Sequence, residues 1–220
     1  MIKACIFDLD GTILDTIGTI TYYVNFALQK HGIDSVSEDE CKYFAGTGAK
    51  NLIRYALASK GIKDGDTFEK VFSDYICAYD NNSLYLTKPF GGIIEVLQKL
   101  KDDGIKLAVL SNKQDLSAKS VVEHFFGNIF DVVRGGIDGV PLKPDPTMAI
   151  EICSQLGVSC EEVCWVGDTS VDIETAKNLN AGLSIGVLWG FRKRDELEKA
   201  GANVIIGETD CIYREVAKLA

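Results

Sequence analysis

The chain has 220 residues, 46% hydrophobic and 25% charged, with a formal net charge of −9. That length accommodates one full domain and a smaller second one, and no apolar run approaches the roughly 20 residues of a membrane span. The acidic balance argues against nucleic acid as a partner, because phosphate backbones demand basic patches. A small phosphorylated ligand stays open, since local charges and a metal decide that case.

The first predicted element is an apolar strand, residues 3–9, closing on Asp8-Leu9-Asp10-Gly11-Thr12. Side chains alternate along a strand, so Asp8 and Asp10 are expected on the same side. Like charges there repel unless a cation sits between them, and Gly11 lets the backbone turn. The segment reads as a platform for a divalent metal and a nucleophile, with a strand ending in a solvated Asp-Gly turn as the rival reading. Helical spacing of Ile20, Val24, Ala27 and Leu28 then predicts a long helix ended by Gly32. Ser37-Glu38-Asp39-Glu40 is a capping box opening a second helix, broken by Gly46-Thr47-Gly48. Leu52, Ile53, Ala56 and Leu57 mark a third, and Phe68, Val71, Phe72, Tyr75 and Ile76 a fourth over residues 67–79.

From residue 89 the pattern alternates between helix and strand. Strands are predicted at 105–110, 130–133, 163–166, 183–188 and 203–206. Helices fall around Ile93–Leu100 positions, 115–126, 146–156, 171–180 and 193–200. Continuous apolar strands between helices imply a parallel sheet covered on both faces. The fold class expected is α/β, a Rossmann-like parallel sheet with an inserted helical unit. The sheet unit comprises residues 1–14 and 86–220, and the insertion 15–85. The two crossings between them are candidate hinges. The seven cysteines are scattered without a Cys-x-x-Cys pair, which fits reduced thiols. The N-terminus shows no signal-peptide layout, so a cytoplasmic location is expected. His31 and His124 are too few and too far apart for a histidine-based site.

In open parallel sheets, ligands bind beyond the carboxyl ends of the strands. There the sequence places Asp8 and Asp10, then Ser111-Asn112, then Gly167-Asp168 with Asp172 a helical turn on. Lys143 precedes a helix within Lys143-Pro144-Asp145-Pro146. Individually these could be helix caps or a solvated lysine; together they converge on one rim. This set, in this order, resembles the haloacid dehalogenase-like hydrolase superfamily, whose members are mostly Mg-dependent phosphatases. The insertion resembles that family's helical cap. Gly139-Val140-Pro141-Leu142-Lys143-Pro144-Asp145-Pro146 and Trp189-Gly190-Phe191-Arg192 are similar to stretches of bacterial phosphoglycolate phosphatases. Pro89-Phe90-Gly91-Gly92 departs from that subgroup's frequent Pro-Tyr-Pro-Gly.

The resemblance implies Mg2+ as cofactor and a small phosphorylated metabolite such as 2-phosphoglycolate as substrate. It implies Asp8 as nucleophile through an aspartyl-phosphate, Asp10 as proton donor and acceptor, and Lys143 as the neutralising cation. Asp8, the Asp10 carbonyl and Asp168 would hold the metal, with Asp172 supporting. Gly11, Thr12, Ser111 and Asn112 would bind the phosphoryl group. Lys50 and Arg54, one turn apart on the third helix, are candidates for a substrate carboxylate, against an ordinary exposed basic face. A β-phosphoglucomutase-like phosphomutase and a pyrophosphatase share these motifs. A receiver-like phospho-accepting module shares the acidic cluster but not the insertion. A monomer and a homodimer are both open.

Overall fold

The structure, a computed structural model, describes residues 1–219. Its elements are β1 (Ala4–Phe7), β2 (Leu14–Asp15), α1 (Ile17–Lys30), α2 (Glu38–Phe44), α3 (Ala49–Ser59), α4 (Gly65–Asn81), β3 (Lys88–Pro89), α5 (Ile93–Asp102), β4 (Lys106–Gln114), α6 (Asp115–Phe126), β5 (Val132–Gly136), α7 (Thr147–Leu156), β6 (Val163–Gly167), α8 (Ser170–Leu179), β7 (Leu183–Val187), α9 (Arg194–Ala200), β8 (Val204–Ile206) and α10 (Asp210–Ala217).

Six strands form one parallel sheet in the order β5-β4-β1-β6-β7-β8. β1 lies between β4 and β6, and alternation along it feeds both faces. Cys5 and Phe7 join the core beneath α5, α6 and α10, whereas Ala4 and Ile6 join Trp165 and Leu110 beneath α7 and α8. An apolar run with no polar alternation is what a strand covered on both sides requires. The chain builds β4 and β5 on one side of β1, then crosses back to build β6, β7 and β8 on the other. The carboxyl ends of β4, β1 and β6 therefore flank the reversal point where open sheets bind ligands.

Helices α1–α4 pack on one another around Val24, Leu28, Ile53, Ala56 and Val71. The predicted capping box of α2 is formed in both directions: the Glu40 amide donates to Ser37 Oγ, and the Ser37 amide to Glu40 Oε2. The two chain crossings form a two-stranded antiparallel ribbon, Leu14 opposite Pro89 and Asp15 opposite Lys88. Two-residue strands leave no periodic trace, so β2 and β3 were invisible to pattern reading.

Three strand boundaries differ from expectation, and one helix was not expected. β1 ends at Phe7, because the Leu9 carbonyl is taken by the amides of Ile13 and Leu14 in a tight turn. Asp8 and Asp10 consequently lie beyond the strand; both still line one cavity, but their carboxylates meet different lysines. β4 runs on to Gln114 through a register irregularity after Leu110, which places Ser111 and Asn112 inside it. β5 starts at Val132, since Phe130 packs against Phe7 and Phe126 and the Asp131 carboxylate accepts from the Leu107 amide. Helix α10, which seats Ile212 and Val216 on the core, was not anticipated.

Candidate active site

Asp8, just past β1, pairs its Oδ1 with Lys143 Nζ at 2.8 Å. Lys143 also donates to Asp172 Oδ1 at 2.7 Å. Its loop is clamped to β4: the Lys143 amide donates to Asn112 Oδ1 at 2.8 Å, and Asn112 Nδ2 donates to the Lys143 and Gly46 carbonyls. The other Asp172 oxygen, Oδ2, accepts from the amide and hydroxyl of Thr169, the N-cap of α8. Both Asp172 oxygens are thus committed, so this carboxylate caps a helix and aims Lys143.

Asp168, at the end of β6, accepts from Thr12 Oγ1 at 3.1 Å and from the Phe191 amide at 2.7 Å. Two glycines make this approach possible. A methyl on Gly11 would lie 2.4 Å from Asp168 Oδ2, at a φ of +85° that side chains avoid. One on Gly190 would lie 2.3 Å from the same oxygen and 2.4 Å from the Gly11 carbonyl. Gly190→Ala is therefore expected to push Asp168 out of place and to cost about 1–3 kcal/mol, the usual penalty of overpacking. Urea unfolding, with activity measured in parallel, checks this.

Ligating oxygens of Asp8, Asp168 and Asp172 all lie within 4.8 Å of one another, and all three residues are buried. Lys143 is the ammonium placed among them. Burial, reinforced by Asp172, raises the Asp8 carboxyl from 3.8 to about 7. Burial, then Asp172 and Asp8, hold Asp168 well above the carboxylate range. For Lys143, burial pulls the other way, but Asp172 and Asp8 outweigh it and keep the amine more basic than usual. When ionised, the three carboxylates carry more negative charge than Lys143 neutralises, so the cluster has an affinity for a further cation. All-oxygen donors suit a hard divalent ion such as Mg2+.

Asp10 takes a different direction from Asp8. Its carboxylate accepts from Lys113 Nζ at 3.1 and 3.3 Å and is not part of the acidic cluster. Asp8, Asp10, Ser111 and Lys113 line a cavity of about 70 Å3, walled by Leu52 of α3 and by Tyr75 and Tyr79 of α4. The Ser111 hydroxyl oxygen accepts from the Lys113 amide, leaving its O–H free to donate.

Several expected site residues are placed otherwise. Asn112 lines the cavity but spends its side chain on backbone groups, and Thr12 spends its hydroxyl on Asp168, so both side chains position neighbouring site residues. Lys50 and Arg54 share the face of α3 opposite buried Leu52, Ile53 and Ala56, and it opens on a separate groove shared with Asp138 and Leu142. Lys50 is 62% exposed and lies 3.8 Å from Asp138. Arg54 stacks over Phe68 and contacts Asn51. Neither lines the cavity. Lys113 and Tyr79 went unread. Lys113 follows Ser111 by two positions on one strand, and Tyr79 follows Tyr75 by one turn, so the two periodicities carried both signals.

The sequence profile of the haloacid dehalogenase-like hydrolases matches residues 5–185. The chain is 31% identical over 192 residues to the phosphoglycolate phosphatase of Aquifex aeolicus, covering 87% of each chain. It is 32% identical over 201 residues to that of Rhodobacter capsulatus, covering 88% of this chain and 87% of the relative. A solved structure from Lactobacillus delbrueckii subsp. bulgaricus, provisionally assigned as a phosphoglycolate phosphatase, is similar with a TM-score of 0.92 at 32% identity. That match covers 97% of this chain and 98% of the other.

Proposed function

The chain belongs to the haloacid dehalogenase-like hydrolases and is a phosphatase, and on that premise we propose that it hydrolyses a small phosphomonoester, such as 2-phosphoglycolate, through an aspartyl-phosphate on Asp8. The observation that carries this reading is the buried contact between Asp8 and Lys143 beside Asp168, with Asp10 separately held within the same cavity. A carboxylate that must attack an anionic phosphoryl group needs its repulsion cancelled, and this arrangement supplies the means.

Asp8 attacks phosphorus with the oxygen not paired to Lys143, and the bond to the leaving oxygen breaks. Asp10 gives that oxygen its proton. Water then attacks the acyl phosphate, Asp10 takes the proton, and inorganic phosphate departs as the Asp8 carboxylate is regenerated. Lys143, aimed by Asp172, neutralises the phosphoryl oxygens, and Ser111 donates to one of them. The carboxylates of Asp8 and Asp168 and the Asp10 carbonyl would hold Mg2+, which supplies charge neutralisation between nucleophile and phosphoryl group. Helices α1–α4 act as a cap over the site in this reading, and their tyrosines keep bulk water from the reacting atoms. All seven cysteines are free, in keeping with a reducing cytoplasm. No helix among the described residues is long and apolar enough to cross a membrane.

The test is phosphate release over a panel of phosphoglycolate, sugar phosphates, nucleotides, pyrophosphate and pyridoxal phosphate. Turnover of a phosphomonoester is expected, lost on chelation with EDTA and restored by Mg2+. Activity that survives chelation would remove the metal's role. A long-lived aspartyl-phosphate without turnover would replace the hydrolase with a phospho-accepting module.

A further inference from the structure

Lys113 has the environment of a ligand-binding group. Its side chain is 8% exposed, and it is the one basic side chain lining the cavity among the described residues, beside the acidic Asp8, Asp10 and Asp80. Asp80 is engaged by the Ser117 hydroxyl. Asp10 contacts the ammonium at 3.1 and 3.3 Å; an ammonium carries three donors, so Asp10 does not saturate it.

Tyr79 adds an independent observation. Its hydroxyl lies 2.5 Å from Lys113 Nζ. An ammonium only donates, so the phenol oxygen must accept. The Tyr79 O–H is then left with no acceptor among the described residues, although the residue is 4% exposed. Burial and the nearby Asp10 keep this phenol protonated. A buried N–H donor and a buried unspent O–H donor thus meet at one wall of the cavity. Buried donors require acceptors, and a carboxylate offers two oxygens to two donors.

The position fits the reaction. In the function proposed above, the leaving oxygen must reach Asp10. Lys113 contacts the same carboxylate, so it neighbours the place where the atoms beyond that oxygen would lie. A cavity of about 70 Å3 is far below the roughly 300–1,000 Å3 of drug-sized sites, which suits a short leaving group.

We propose that Lys113 and Tyr79 form an anion subsite that holds the carboxylate of the leaving group, selecting short phosphorylated hydroxy acids over neutral phosphomonoesters. This rests on the phosphatase reading and replaces Lys50 and Arg54 as the carboxylate-binding residues.

Binding of two hydrolysis-resistant probes to the full-length protein in Mg2+ buffer tests it by calorimetry. The probes are 3-phosphonopropionate and propylphosphonate, which differ in the terminal carboxylate. The unsubstituted protein is expected to prefer the carboxylated probe by roughly 10- to 100-fold, the range for a buried hydrogen bond to a charged group. Lys113→Met should bring the ratio close to one, Tyr79→Phe should lower it several-fold, and Lys113→Arg should retain most of it. A preference that persists in Lys113→Met, or is absent from the unsubstituted protein, overturns the subsite. Should Lys113→Met bind neither probe, Tyr79→Phe decides: a lowered ratio supports the subsite, an unchanged one overturns it. Phosphate release from neutral esters without carboxylate preference would sink the subsite alone. Preference without hydrolysis of any ester would sink the phosphatase reading alone.

Discussion

Asp8→Asn is expected to abolish phosphate release, lowering kcat by roughly 10⁴-fold or more, as removal of a catalytic nucleophile does. The amide has the same shape but no nucleophilic oxygen. The fold should survive, and at neutral pH the metal-free protein should melt no lower than the unsubstituted one. The reason is electrostatic: the substitution removes one of three mutually repelling buried carboxylates, the strain such sites carry for function. Circular dichroism melts and a phosphate assay on the same preparation check both halves. Turnover within tenfold of the unsubstituted enzyme would show that Asp8 is not the nucleophile.

Lys143→Met produces the second large effect. Asp8 and Asp172 lose the cation that both contact, at 2.8 and 2.7 Å, and the buried carboxylates are left uncompensated. Removing one partner of a buried ion pair costs about 3–5 kcal/mol, which lowers Tm by about 6–20 °C in a chain of this size. Activity should fall by at least ~10²–10³-fold, because a preorganised charge at the phosphoryl oxygens is lost. The penalty depends on pH. Asp8 has a folded-state pKa of about 7 against an ordinary 3.8, so the metal-free folded protein binds a proton there more tightly than the unfolded chain does. The stability this contributes is complete below about pH 4 and is lost as pH rises through about 7. In Lys143→Met a proton can partly replace the missing ammonium, so the drop in Tm should be smaller at pH 5 than at pH 8. Melts with EDTA at the two pH values measure this; equal drops would mean that Lys143 is not compensating these carboxylates.

Much of the architecture was legible because burial imposes a period. The apolar runs ending near Phe7, Leu110 and Val166 announced strands covered on both faces, and the Ser37–Glu40 box announced a helix start. The rim residues Asp8 and Asp168 were legible for another reason. Strand ends in an open α/β sheet face the ligand crevice, so a polar residue directly after an apolar run has a defined place. Lys50 and Arg54 show the limit of this logic. Their i, i+4 spacing correctly put them on one face of α3, but spacing alone does not say which face meets the site.

Asp8 and Asp10 divide the two kinds of knowledge most clearly. Local sequence determined that two carboxylates and a turn follow a buried strand, since apolar content and Gly11 dictate that without any distant partner. Only the tertiary structure decided where each carboxylate goes. The turn that closes on the Leu9 carbonyl ends the strand alternation, so Asp8 meets Lys143 and the acidic cluster, while Asp10 meets Lys113 and, through it, Tyr79 of α4. Those partners lie far from the first motif along the chain, and contacts of that range are set by how helices and sheet pack, which no local period encodes.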